Sequence, residues 1–429
     1  MKAGGSKNRR KSTGSRLQML FVILFQLLGM ALLVLKRIPV PTGLWLTAVC
    51  LPVVTYVLNR LPKKLRLDKT LLNMVLFLCS VSIILLFGVT RNNAALNYMQ
   101  AIFALIGIVA MFVVFGFMKH FSKWGKLSVV LFIVSVVALM APRFFGSVNG
   151  AYNWIKLRIG GRVLTVQPSE FVKQALIIIL AHCFSREKWG FRILGIAAAV
   201  IFCGILAIQG DFGALLLYFV VTIAMYYAST GNLLVTGAGL GCGLAAAVGA
   251  YFLSDNVRNR VMIWLDPWSH YNGKGYQLVQ SLIAIASGGL FGMGLGSGSP
   301  RVVPLYDTDF VFSSICEQLG LVFALAVMAV YFVIVMRGMS ISVNSRTPFY
   351  CLAALGESVL IGAQAMLIIG GNVQLLPLTG VTLPFVASGG SSLVASFCGL
   401  GILQAVASIN RRQDVEDRKR QKERKGGAI

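Results

Sequence analysis

The sequence is short of charge, and shortest of negative charge. Only 12% of its 429 residues are Asp, Glu, Lys or Arg, about half the share of a soluble domain. Fourteen acids stand against 39 Lys and Arg, for a net charge of +25. No stretch alternates polar and apolar residues over the ~10 positions of a membrane barrel strand, which excludes a barrel. Cys50, Cys79, Cys183, Cys203, Cys242, Cys316, Cys351 and Cys398 all lie in apolar runs, without a CxxC or a Cys/His cluster. That argues against a disulfide framework or a zinc site and leaves buried thiols as the expectation. No small-residue cleavage site follows the first apolar run, so it reads as a retained span, not a signal peptide. Low-complexity linkers and clear internal repeats are missing too, and the lack of repeats weighs against a two-halved transporter.

What fills the chain is apolar: 57% of residues are hydrophobic. Runs of ~17–25 recur from end to end, each able to cross ~30 Å of hydrocarbon as a helix. The expected fold is an all-α polytopic membrane protein of about 12 spans. These lie near 17–35, 42–59, 70–89, 98–118, 126–142, 169–184, 191–208, 211–228, 233–253, 310–336, 348–369 and 389–409. With the N-terminus inside, 27 of the 39 basic residues fall on the inner side and 11 on the outer, while Lys173 sits in a span. This bias predicts that both termini are cytoplasmic. The positive charge is then a topology signal, with a secondary attraction to anionic lipid, and not a nucleic-acid footprint.

The longest outward loop is 254–309. Its apolar middle, 277–297, would carry the basic C-terminal tail outside if it spanned, so it reads as a re-entrant or interfacial segment buried against protein. The expected organisation is a basic tail (1–16), two N-terminal spans (17–60), a membrane domain (70–410) and a charged cytoplasmic tail (411–429).

Fourteen acids can be sorted completely. Asp68, Glu187, Asp414, Glu416, Asp417 and Glu423 stand beside basic residues in inner loops or the tail and read as solvated. Glu170, Asp211, Asp255, Asp266, Asp307, Asp309, Glu317 and Glu357 lie in spans, at outer span ends or in the long loop. An ionised group at mid-membrane costs about 3 kcal/mol or more, so such residues tend to face cavities. Glu170 and Lys173 share a helix face, either as a mutual ion pair or as a wall where Lys173 holds a phosphate. Asp309, in YDTDFVFS, is a helix cap or a catalytic group. Glu317, eight residues on, would lie two turns deeper on the same face and line a groove with it. Glu357 reads as a hydrogen-bonded structural carboxyl without an evident partner.

Glycines in SGGLFGMGLGSGS (287–299) permit close backbone approach, to a phosphate or sugar or simply in a turn; the run lacks the GK[ST] ending of a Walker loop. SGGSS (388–392) opens the last span and is suited to capping or to binding an anion through Ser391 and Ser392. Trp154, Trp264 and Trp268, with Tyr152, Tyr271 and Tyr276, read as interfacial anchors, and sugar stacking is the less favoured reading.

Six motifs follow in order: QPSEFVK (167–173), QGDFGALLL (209–217), WLDPW (264–268), GYQLVQSLIAIASGGLFGMGLGSGS (275–299), TDFVFSSICEQLG (308–320) and LPLTGVTLPFVASGGSS (376–392). On these the chain resembles the shape, elongation, division and sporulation proteins of bacteria, the FtsW/RodA/SpoVE family, over about residues 70–410. The resemblance implies a multi-pass enzyme of the cytoplasmic membrane that polymerises lipid II at the outer face, alongside a class B penicillin-binding protein of the elongation or division machinery. A lipid II flippase and a non-catalytic activator of that partner are the rival readings. The family's essential aspartate falls on Asp309, its QPSE glutamate and following lysine on Glu170 and Lys173, and its EELG glutamate on Glu317. Substrate contacts are expected at these last three and at Arg258, Arg260, Trp154, Gln277, Ser391 and Ser392. A divalent cation, Mg or Mn, is a candidate cofactor with Asp309 as a candidate ligand; no organic cofactor is expected. The chain departs from the pattern at Asn153 (usually Arg), Gly210 (Pro), Gln318 (Glu) and Ala387-Ser388 (Ser-Tyr), and two spans precede the usual ten.

Overall fold

The computed structural model describes residues 3–36, 42–89, 94–120, 124–144, 153–159 and 162–426. In chain order these form α1 (Ala3–Lys36), α2 (Thr42–Arg60), α3 (Lys69–Val89), α4 (Ala94–His120), α5 (Trp124–Met140), β1 (Ile155–Ile159), β2 (Arg162–Val166), α6 (Pro168–Phe184) and α7 (Trp189–Gln209). There follow α8 (Phe212–Thr230), α9 (Leu233–Leu253), α10 (Asp255–Leu265), α11 (Tyr276–Gly288), α12 (Val311–Val343), α13 (Pro348–Asn372) and α14 (Gly390–Gly426). Each expected span coincides with one of α1–α9 or α12–α14. Eleven of these helices are long and apolar enough to cross a membrane, and α6 has 17 residues. The chain is a multi-pass membrane protein. Helix α3 is buried almost all round, whereas α9 is almost wholly exposed. An apolar helix buried on every side sits at the centre of a bundle, and an apolar exposed one faces lipid.

Some expectations need correction. The chain is not free of strands: β1 and β2 pair antiparallel, Ile155 opposite Val166. The Gly160-Gly161 dipeptide between them is a hairpin signal, although those two residues lie outside the described ones, as does Tyr152. Among the described residues, both charged terminal segments are helical, continuing α1 back to Ala3 and α14 on to Gly426. Finally, all eight cysteines are free, but Cys50 and Cys242 are exposed rather than buried. Both lie on apolar helices, where lipid makes burial in protein unnecessary.

Contacts define two ends of the bundle. At one, which we term the tail end, Asp68 caps α3 through Leu71 N (3.1 Å) and accepts from Arg337 and Arg411, each at 2.6 Å. Gln404 holds Asp68 by its backbone in both directions. Asp68 is thus no solvated loop acid; its side chain is 2% exposed. Its partners lie 269 and 343 residues away, beyond any local reading of the sequence. Burial alone would push its carboxyl up, but the Arg337 hydrogen bond and the two guanidinium charges hold it below the usual value.

At the other end, the loop end, α11 and the glycine-rich segment fold back onto α12. Gly320, at φ +83°, breaks α12 in two. The break leaves helical donors and acceptors without partners, and the segment supplies them. Met293 and Gly294 N–H donate to the Glu317 and Gln318 carbonyls (2.8 and 3.0 Å), and Leu321 and Val322 N–H donate to Gly289 and Leu290 (3.0 and 3.2 Å). A Cβ on Gly320 or Gly288 would collide with the opposing backbone. The glycines therefore permit close approach by α12. Lys36, at the end of α1, fixes the same segment by donating to Leu295 O (2.7 Å) and Ser297 Oγ (3.2 Å).

Candidate active site

The N-termini of α6, α8 and α14 meet at the loop end. Asp211 caps α8 by accepting from Ala214 N–H (3.1 Å). Its other oxygen accepts from Gln167 (3.0 Å), Asn153 (3.1 Å) and Ser169 (3.4 Å). Ser391, buried in the first turn of α14, accepts from Gln167 N–H at 3.4 Å. One carboxylate thus ties the approach to β1, the start of α6 and α8 together. Asp211 lies outside the expected set of site residues, although the QGDFG motif marks its position. Asn153, where Arg is usual, still donates to it. Gly210, where Pro is usual, sits at φ +74°, which a proline ring cannot adopt.

Asp309 does not cap α12. The cap position is Phe310, and no side chain of its own serves it. Asn372, fully buried at the end of α13, does the work from across the bundle: its Oδ1 accepts from Ser313 N–H (3.3 Å), and its Nδ2 donates to the Asp309 carbonyl (2.8 Å). The Asp309 carboxylate is left for another use. It lies with the Arg260 guanidinium beside Gly380, both within 4 Å of the point a Cβ there would occupy. Arg260 donates to Leu378 O at 3.0 Å. Trp264 holds α10 in place, since its indole N–H donates to Gln374 O (3.0 Å) while Gln374 donates back to Trp264 O (2.9 Å). That reciprocal clamp adds a structural role to its expected one as an interfacial anchor. Trp268, exposed, keeps a position open to that role.

Burial pushes the Asp309 carboxyl up to about 6. Arg260 opposes the rise, Asp307 adds to it, and a hydrogen bond with Thr308 opposes it. Burial also raises Asp307, against hydrogen bonds from its own backbone and from Ser388. The Asp307 carbonyl in turn accepts from Ser388 N–H at 2.7 Å.

The remaining expected residues separate. Arg258, two positions from Arg260 and so on another side of α10, turns to Asp255 (3.3 Å) and Phe252 O (2.9 Å). Glu317 faces the glycine-rich segment, accepting from Ser299 N–H at 2.7 Å. Lys173 and Glu170 pair at 2.8 Å with side chains 3% and 8% exposed. Gln174, beside Lys173, donates to Glu357, whose partner the sequence did not disclose. Trp154 and Gln277 are half-buried, and Ser392 is buried at the start of α14. No group of three or more His, Cys, Asp and Glu side chains gathers for a metal among the described residues.

At the loop end of a bundle of membrane helices, half-buried Asp309 and Arg260 thus face one point beside Gly380. The sequence model of the FtsW/RodA/SpoVE cell cycle proteins matches residues 64–412, and the chain belongs to that family. It is 33% identical over 334 residues to the peptidoglycan glycosyltransferase RodA of Mycobacterium tuberculosis strain H37Rv, covering 73% of this chain and 70% of that one. It is 32% identical over 383 residues to the probable peptidoglycan glycosyltransferase FtsW of Bacillus subtilis strain 168, covering 83% and 93%. Among solved structures it resembles a chain of a peptidoglycan synthase complex that coordinates polymerization and crosslinking (TM-score 0.67, 23% identity, 80% of this chain and 98% of that one). It also resembles the Thermus thermophilus rod shape determining protein RodA (TM-score 0.57, 22% identity, 81% and 98%). Helices α1 and α2 precede the matched residues.

Proposed function

We infer that the chain is a peptidoglycan glycosyltransferase that polymerises lipid II into β-1,4 glycan strands, with Asp309 as its central catalytic group. The observation that carries this reading is the release of the Asp309 carboxylate from capping duty by Asn372 and its position with Arg260 beside Gly380. An α-linked donor gives a β bond in one inverting displacement. The acceptor 4-hydroxyl attacks the anomeric carbon, its proton passes to Asp309, and the bond to undecaprenyl pyrophosphate breaks. Arg260, already forked towards this site, suits the departing pyrophosphate better than Arg258 or the enclosed Lys173. If a divalent cation takes part, Asp309 would instead hold it together with Asp307, and the cation would supply charge neutralisation for the departing pyrophosphate.

Charge bias puts the tail end in the cytoplasm and the site at the outer face of the cytoplasmic membrane. Helix α11, at 13 residues, reaches only ~20 Å, which supports a re-entrant rather than a spanning segment. A class B penicillin-binding protein is the expected partner, by analogy with the synthase complex.

The test is polymerisation of purified lipid II, with and without that partner. Asp309→Asn should insert and fold but lose roughly 10²–10⁴-fold in rate. Near-normal polymerisation by the variant would remove Asp309 from the chemistry. Lipid II flipping without glycan formation by the wild-type pair would make the protein a transporter instead.

A further inference from the structure

The tail end carries a second concave site, independent of the reaction. A pocket of about 280 Å³ lies between the α2–α3 connection, the last turn of α4 and the continuation of α14. Lys64, Arg66, Lys119, Arg412 and Lys419 line it, and the lone acid in its wall, Glu416, is already paired with Arg412 at 2.9 Å.

Basic residues on this side of a membrane protein ordinarily spread into water. Here five, from three separate segments, border one open hollow, Arg66 and Lys119 half-buried and Lys64, Arg412 and Lys419 exposed, and their backbone frame is fixed. Ser408 donates to Leu65 O (2.8 Å), Arg66 to Arg411 O (3.2 Å) and Arg411 to Arg66 O (3.2 Å). Arg66 holds a left-handed backbone, φ +53°, an unfavourable state for a residue with a Cβ and one that persists only where its surroundings impose it. Like charges held this way repel unless an anion lies among them, and guanidinium forks match phosphate oxygens. Lys119 stands at the apolar boundary, its ammonium 5.5 Å from the Phe115 ring centre one turn deeper in α4. That is where a lysine snorkels to the headgroup layer.

We propose that this pocket is a phosphate-binding site, filled by the headgroup of an anionic phospholipid. Wild type, Lys119→Gln/Lys419→Gln, and Lys126→Gln/Lys188→Gln, which removes two cations from the same end outside the pocket, are reconstituted in phosphatidylcholine with and without phosphatidylglycerol. Native mass spectrometry reads the lipid retained after extraction. Wild type and the outside variant should retain phosphatidylglycerol over phosphatidylcholine, and the pocket variant should lose that preference by about tenfold or more, the effect of two headgroup-facing cations. Lys119→Arg/Lys419→Arg should restore it, which separates charge from folding. Pyrophosphate added to lipid-free protein in detergent tests the other source: a thermal shift seen in wild type and lost in the pocket variant would assign the same phosphate site to a soluble ligand. Equal losses in the pocket and outside variants, or equal retention in all, would overturn the proposal.

Discussion

At the scale of single residues, the informative ones are those whose obvious duty is done by another. Asp309 sits one residue before the cap position of α12, and its sequence context fits cap and catalyst equally. The decision needed Asn372, 63 residues away. With the carboxyl raised to about 6, Asp309 as a base is active when deprotonated. Polymerisation should therefore fall as pH drops through about 6, and Arg260→Gln, which removes the cation lowering that value, should move the acidic limb upward. An unmoved limb would dissociate Asp309 from the proton transfer. A raised carboxyl also opposes folding above its own titration point, so Asp309→Asn should melt no lower than wild type near neutrality. Lys173 is the opposite case. It is enclosed with Glu170, so Lys173→Ala should cost about 3 kcal/mol or more of stability, by leaving a buried acid unpaired. Glu170→Gln/Lys173→Met should recover much of that in a melting experiment.

At the scale of elements, the helices were legible because length and hydropathy determine them, and all twelve expected spans coincide with helices. The kink in α12 was not legible: it depends on Gly320 meeting a glycine-rich segment more than twenty residues earlier. The pinning of that segment by α1 was equally hidden, although Lys36 could be seen as an outer-end lysine. These contacts give the N-terminal helices a role in holding the loop end. Gly320→Ala should abolish activity, because its backbone is left-handed and its new Cβ has no room. Lys36→Met should reduce polymerisation, and Lys36→Arg should recover part of it. Equal activity in all three would mean that α1 does not act through the loop.

At the scale of the whole molecule, topology and family were readable from charge bias and ordered motifs, whereas the cross-links between distant segments were not. Asp68 shows why. Taken alone it is one acid among basic neighbours; in the fold it joins α3, α12 and α14. Breaking that junction with Asp68→Asn should cost about 1–3 kcal/mol, because the two guanidinium groups left behind are partly solvated. The lowered carboxyl adds stability above its unfolded titration point near pH 4. That contribution disappears as pH falls through the lower folded value, so wild type and variant should converge in stability only in strong acid.

The trans cap on α12 also has a consequence for how the sequence can vary. A residue that both ends a helix and performs chemistry is constrained twice, and most of its replacements fail for mixed reasons. By moving the cap to Asn372, the fold divides these constraints between two codons. A saturation library should find position 309 permissive for membrane yield and intolerant for cell-wall growth, and position 372 intolerant for both.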